Sequence, residues 1–116
     1  MALVQDLITA SKIEGMVAAG GASLVRIESP TQLPPNSDVD LLVVDWGDRQ
    51  PEWGAAIAAW RDTSPAHRSP RVILFGPHTD LVAHADARKA DLGPMRARSA
   101  FFGALSDLLK RPERIV

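Results

Sequence analysis

Residues 39–45, Val39-Asp40-Leu41-Leu42-Val43-Val44-Asp45, constrain this chain more than any other segment. Successive side chains of a strand point to opposite faces, so an unbroken aliphatic run makes both faces apolar. Such a strand must be covered on both sides, as in a parallel sheet sandwiched between helices. The run stops abruptly at a carboxylate and is followed by Trp46-Gly47-Asp48. In parallel sheets ligands and chemistry gather at the carboxyl ends of the strands. Asp45 therefore stands where a metal, a phosphoryl group or a partner could reach it. The plainer reading is an aspartate that ends a strand and caps the next turn.

Apolar patterning and breaker residues divide the rest of the chain into alternating strands and helices. Residues 2–5 read as a short first strand. Asp6 is placed to cap a helix reaching about residue 19, with Ala10, Ile13, Met16 and Val17 on one face and Gly20-Gly21 ending it. Residues 23–27 form a second strand. Between it and strand three, Ser29-Pro-Thr-Gln-Leu-Pro-Pro-Asn36 contains adjacent prolines that leave room only for a turn or loop. Pro51 suits the first position of a helix over 51–62, where Trp53, Ile57 and Trp60 share one face and are expected in the core. A polar loop, 64–70, leads to strand four at 71–75. Thr79 is placed to cap an alanine-rich helix to about residue 91, 94–98 form strand five, and Ser99 caps a last helix to about residue 110.

Parallel neighbours need crossovers, and crossovers are right-handed. Five such strands in 116 residues predict an α/β flavodoxin-like three-layer sandwich with sheet order 2-1-3-4-5, its second helix short or missing. One domain over 1–116 uses the whole length. Gln5-Asp6-Leu7-Ile8-Thr9, after strand one, lacks the glycines of a dinucleotide site, and no phosphate-binding G-x-x-x-x-G-K-[ST] loop occurs. With 13 basic against 14 acidic residues, bulk electrostatics favour neither nucleic acid nor an anionic membrane. The absence of cysteine removes disulfides, thiolate metal sites and thiol nucleophiles. His67, His78 and His84 are not at metal-ligand spacing, and no apolar run approaches the roughly 18 residues of a membrane span. No signal peptide is visible, and a cytoplasmic protein is expected.

In the expected order, Gln5 and Asp6 (strand one), Asp45 (strand three), Gly76 (strand four) and Arg98 (strand five) converge on one rim. This pattern resembles the receiver domain of bacterial response regulators over essentially the whole chain. There, two acidic residues follow strand one, the phosphoacceptor aspartate ends strand three, a Ser or Thr ends strand four, and Lys-Pro ends strand five. By that resemblance Asp45 is the phosphoacceptor, Gly47 supplies a backbone oxygen for Mg²⁺, and Asp6 is one of the acidic pair. Gln5 replaces the other acid, Gly76 the hydroxyl residue, and Arg98-Ser99 the Lys-Pro. Two of the five functional positions are thus kept, one carries a charged substitute, and two have lost their chemistry.

These departures have physical consequences. Three carboxylates and a lysine give a receiver site a charge of about −2; two carboxylates and an arginine give about −1. If one unit charge is worth about 1–2 kcal/mol, Mg²⁺ binding weakens by a factor of about ten or more. Gly76 has no hydroxyl with which to capture a phosphate oxygen, and an arginine fork is not a lysine point charge. His78, after Gly76-Pro77, could donate to phosphate or remain a loop histidine. On the last helix Phe101, Leu105 and Leu108 form the core stripe, and Phe102 and Leu109 widen it into an interface candidate.

Three functions follow as expectations. The first is a stand-alone degenerate receiver-like signalling domain acting through protein–protein contact, with its phosphorylation switch impaired and no catalytic activity. Its partner would be a histidine kinase or another signalling protein, or a second copy paired through strand five and its flanking helices. The second is a functional Asp45 phosphoacceptor in a phosphorelay, with weakly bound Mg²⁺. The third is a small-ligand-binding α/β module using the same rim.

Overall fold

The computed structural model describes residues 1–21, 24–36, 39–63 and 71–110, with side chains through Asp107. The expected loop at 64–70, the start of strand two, and the side chains of Leu108 and Leu109 lie outside the described residues. Five strands are described: β1 (Ala2–Leu3), β2 (Arg26–Ile27), β3 (Leu41–Asp45), β4 (Arg71–Gly76) and β5 (Met95–Ala97). They form one all-parallel sheet in the order β2-β1-β3-β4-β5, as the alternating pattern predicts. Four helices are described: α1 (Leu7–Ala19), α2 (Trp53–Asp62), α3 (Leu81–Lys89) and α4 (Arg98–Lys110). The architecture is that of the flavodoxin-like α/β fold.

The pleat of β3 explains the layering. Leu42 and Val44 point into a core layer with Trp53 and Ile57 of α2 and Ala83 and Ala87 of α3. Val43 points the other way, joining Ala10, Ile13 and Val17 of α1 and Phe101 and Leu105 of α4. Leu74 and Phe75 of β4 divide between the same two layers. In the second layer Phe75 and Phe101 stack with centroids 4.5 Å apart, and Phe102 packs edge-on against both.

Between β2 and β3 a single 3-10 turn, Pro30–Gln32, replaces a helix. Ser29 and Gln32 close it with reciprocal capping hydrogen bonds. The proline-rich segment that follows is fastened to α2. The Trp60 indole donates to the Pro34 carbonyl at 2.7 Å, and the Asn36 amide donates to the Trp60 carbonyl and the Thr63 hydroxyl, both at 2.7 Å. Trp60 is thus an anchor at the core's margin, whereas Trp53 and Ile57 are fully inside.

Element ends differ from expectation in several places, with β5 (Met95–Ala97) and β2 (Arg26–Ile27) among them shorter than the expected 94–98 and 23–27. The regular part of β1 stops at Leu3 because the Arg26 side chain takes the Val4 and Gln5 carbonyls that a longer ladder would use. A turn from Gln50 to Trp53 delays α2, leaving Pro51 ahead of the helix. Asp80, not Thr79, caps α3, accepting from the Ala83 amide at 3.0 Å; the Pro77 carbonyl to Asp80 amide bond sets it there. The last helix begins at Arg98, directly after β5, so Ser99 lies within it. Asp6 caps α1 as expected, and Gly21 takes a φ of +80° just beyond that helix.

Asn36 is 7% exposed and satisfies two acceptors at the C-terminal end of α2 at once. Asn36→Ala is expected to lower the free energy of unfolding by about 1–3 kcal/mol, and Trp60→Phe, which removes one donor, by about 1 kcal/mol. Urea unfolding of the two variants checks this.

Candidate functional site

The register of the sheet brings the rim together. Leu3 is level with Val44, Asp45 with Phe75, and Gly76 with Ala97, which leads directly into Arg98. Asp45 is 1% exposed. Its Oδ2 faces the Arg98 guanidinium at 3.5 Å, a long ion pair, while Oδ1 is buried with no hydrogen-bond partner among the described residues. A second guanidinium N–H of Arg98 donates to the Thr9 hydroxyl at 3.1 Å, and Thr9 donates through both its hydroxyl and its amide to Asp6 Oδ2. The result is a polar chain, Asp45–Arg98–Thr9–Asp6, running from β3 through the start of α4 to the start of α1. The Arg98 guanidinium also lies over the Phe75 ring, 5.3 Å from its centroid.

The cover over Asp45 is made by close approach of two loops. The 3-10 turn Trp46–Asp48 follows β3, with the Trp46 indole buried and donating to the Ala83 carbonyl at 2.9 Å. The buried face of α3 against which the ring packs is made of Ala83 and Ala87. A β-carbon at Gly47 would stand 2.9 Å from Pro77 Cδ and 3.7 Å from Asp45 Oδ1. One at Gly76 would stand 2.8 Å from Met95 Sδ and 3.1 Å from the Gly47 nitrogen. The space a side chain at Gly76 would need is filled by the Met95 side chain and the Gly47 backbone. Gly47 and Gly76 are therefore steric requirements of one closed junction.

Burial pushes the Asp45 carboxyl up to about 6; Asp48 and Asp6 add to the rise, and Arg98 opposes it. Removing a carboxylate from water costs more than this long ion pair returns. Asp6 behaves oppositely, held below the ordinary aspartate range first by the Thr9 hydroxyl and amide.

Of the residues predicted at the site, Asp45, Arg98 and Asp6 are joined, the last through Thr9, and Gly47 and Gly76 pack against each other. Gln5 is turned away, its amide donating to the Glu28 carbonyl at 3.3 Å. The His78 carbonyl accepts from His84 Nε2, and its ring lies on the exposed side of the loop. Phe102 is half-buried rather than a free apolar surface. The side chain of Leu109, the other interface candidate, lies outside what is described. Thr9 and Asp48 are the contributors that sequence reading missed. The Asp6-x-x-Thr9 spacing of a capping pair was the available signal for Thr9.

Mg²⁺ wants near-octahedral oxygen coordination, and the residues as placed do not fit it. Asp6 Oδ2 is taken twice by Thr9, a guanidinium stands against Asp45 Oδ2, and Asp45 Oδ1 is enclosed. Among the described residues no three carboxylate or imidazole groups converge closely enough to hold a metal ion, and no helix is long and apolar enough to cross a membrane. Compared with protein-family models, curated proteins and solved structures, the chain matches none.

Two predictions follow from the buried carboxylate and its cover. The unfolded chain releases the Asp45 proton near 3.8 and the folded chain near 6, so the folded state holds the extra proton between those values. Stability is therefore lost as pH rises through that window, by about 2–3 kcal/mol, and the loss is complete above about pH 7. Subtracting the urea-unfolding free energies of Asp45→Asn from those of the parent across this range should give that curve; a flat difference refutes it. Gly76→Ser, which pushes a side chain against Met95 and the Gly47 backbone, should cost about 1–3 kcal/mol in the same assay.

Proposed function

We propose that this chain is a degenerate receiver-like signalling domain that works by protein–protein contact, with its phosphorylation switch impaired or lost. The observation that carries this reading is the enclosure of Asp45. Phosphoryl transfer needs an oxygen free to attack in line with the leaving group, yet one carboxylate oxygen faces Arg98 and the other lies under the Gly47–Pro77 junction. A hydroxyl-bearing side chain at the end of strand four, which would read out a phosphoryl group, would have to displace Met95 Sδ and press on the Gly47 backbone.

Contact as the mode of action is supported by the rim's own surface. Leu7 and Ile8 in the first turn of α1 are 69% and 82% exposed, and Leu81 and Val82 in the first turn of α3 are 77% and 65% exposed. Both helices begin at the carboxyl edge of the sheet, so these apolar pairs flank the Asp45 region. Exposed apolar side chains grouped in this way mark association surfaces more often than isolated ones do. The proposed partner is a histidine kinase or another signalling protein, and the reading requires neither a metal nor catalysis.

The test is incubation with Mg²⁺ and beryllofluoride, or with a small acyl phosphate donor, followed by intact mass and tryptophan fluorescence. No added phosphoryl mass and no saturable fluorescence change are expected. A saturable response abolished by Asp45→Asn would instead establish a working phosphoacceptor and overturn the reading.

A further inference from the structure

A second feature lies on the far side of Arg98 and is used by none of the roles above. An open cavity of about 550 Å³ is bounded by α1, the β4–α3 loop and the start of α4, with Lys12, Pro77, His78, Arg98, Ser99 and Phe102 among its walls. No acidic side chain lines it. Lys12 pairs with no carboxylate among the described residues; its ammonium group rests over the Phe102 ring, 4.1 Å from the centroid. Arg98 commits one N–H to Thr9 and another to Asp45, leaving further donors of its five-donor fork. The His78 ring and the Ser99 hydroxyl make no hydrogen bond to the described protein, although both carry donors.

We propose that this cavity binds a phosphomonoester anion. A phosphomonoester carries close to two negative charges and several acceptor oxygens, which suits one ammonium, one guanidinium fork, an imidazole and a hydroxyl around a single space. The half-buried Phe102 and the Pro77 ring supply an apolar wall for the organic part of the ester. The volume falls within the range of small-molecule sites. Anion binding would draw Lys12 from the aromatic face, where its charge is only partly compensated. This site does not depend on the signalling reading, since it needs no chemistry at Asp45.

The test titrates the whole chain with inorganic phosphate, with adenosine monophosphate and with uncharged adenosine, followed by amide NMR shifts. Neither phosphate compound transfers a phosphoryl group to an aspartate, so binding is read separately from acceptor activity. Saturable shifts at Lys12, His78, Ser99 and Phe102 are expected with both anions and none with adenosine. Tighter binding of the nucleotide would assign its organic part to the Phe102 wall, and equal binding would show recognition of the phosphate alone; both outcomes support an anion site. The double variant Lys12→Gln/His78→Gln, altered only at loop or surface side chains, should weaken binding by about tenfold or more, and Glu52→Gln, on the exposed start of α2 and outside the cavity lining, should retain it. No saturation by about 10 mM, undiminished affinity in the double variant, or an equal loss of binding in Glu52→Gln would each overturn the assignment.

Discussion

The two-sided burial of β3 is the constraint on which the rest depends. A strand with Leu42 and Val44 on one face and Val43 on the other can be dry only between two helical layers. Each apolar layer has its own partners: the Trp53 and Ile57 face of α2 with the alanine face of α3, and α1 with the aromatic cluster led by Phe101. Parallel crossovers then bring every strand's carboxyl end to one rim. Asp45, at the end of the most enclosed strand, is consequently a carboxylate surrounded by packed backbone.

That position sets polar satisfaction against packing. Gly47, Gly76 and Pro77 approach closely enough to bury Asp45, and Oδ1 is left without a donor among the described residues. A buried acceptor without a partner costs stability, and a charged one costs more, which is why the proton is held so far above the usual range. Arg98 returns part of that cost across 3.5 Å while also bonding Thr9. It is thereby a joint between three elements, α1, β3 and α4, and one edge of it remains open to the cationic cavity beside it. The same side chain can brace the closed rim and present charge outward because a guanidinium has five donors in a plane.

The minimal crossover between β2 and β3 shows how a missing helix is replaced. Adjacent prolines prevent a helix there, and the apolar surface it would have covered is sheltered by Leu33 and Trp60 instead. Hydrogen bonds from the Trp60 indole and the Asn36 amide hold that substitute in place. They span about 25 residues of sequence, too far apart for any local pattern to reveal them.

What the sequence determined by itself was whatever depends on period and punctuation. The unbroken Leu41–Val44 apolar run, the Asp6 cap, the glycine stop after α1 and the proline block at 34–35 are local signals, and they sufficed for the parallel sheet, its order and the convergence of Asp6, Asp45, Gly76 and Arg98. Tertiary structure alone decided how those residues meet. Whether Gln5 turned toward Asp45 or toward Glu28, and whether Gly76 left a gap or a sealed contact, depended on how segments remote in the chain approach one another, while the choice of Asp80 over Thr79 as the α3 cap followed the turn that Pro77 starts. Side-chain type and spacing carry no record of such approaches, because they arise only when the two layers close on the sheet and every neighbour's volume is fixed at once.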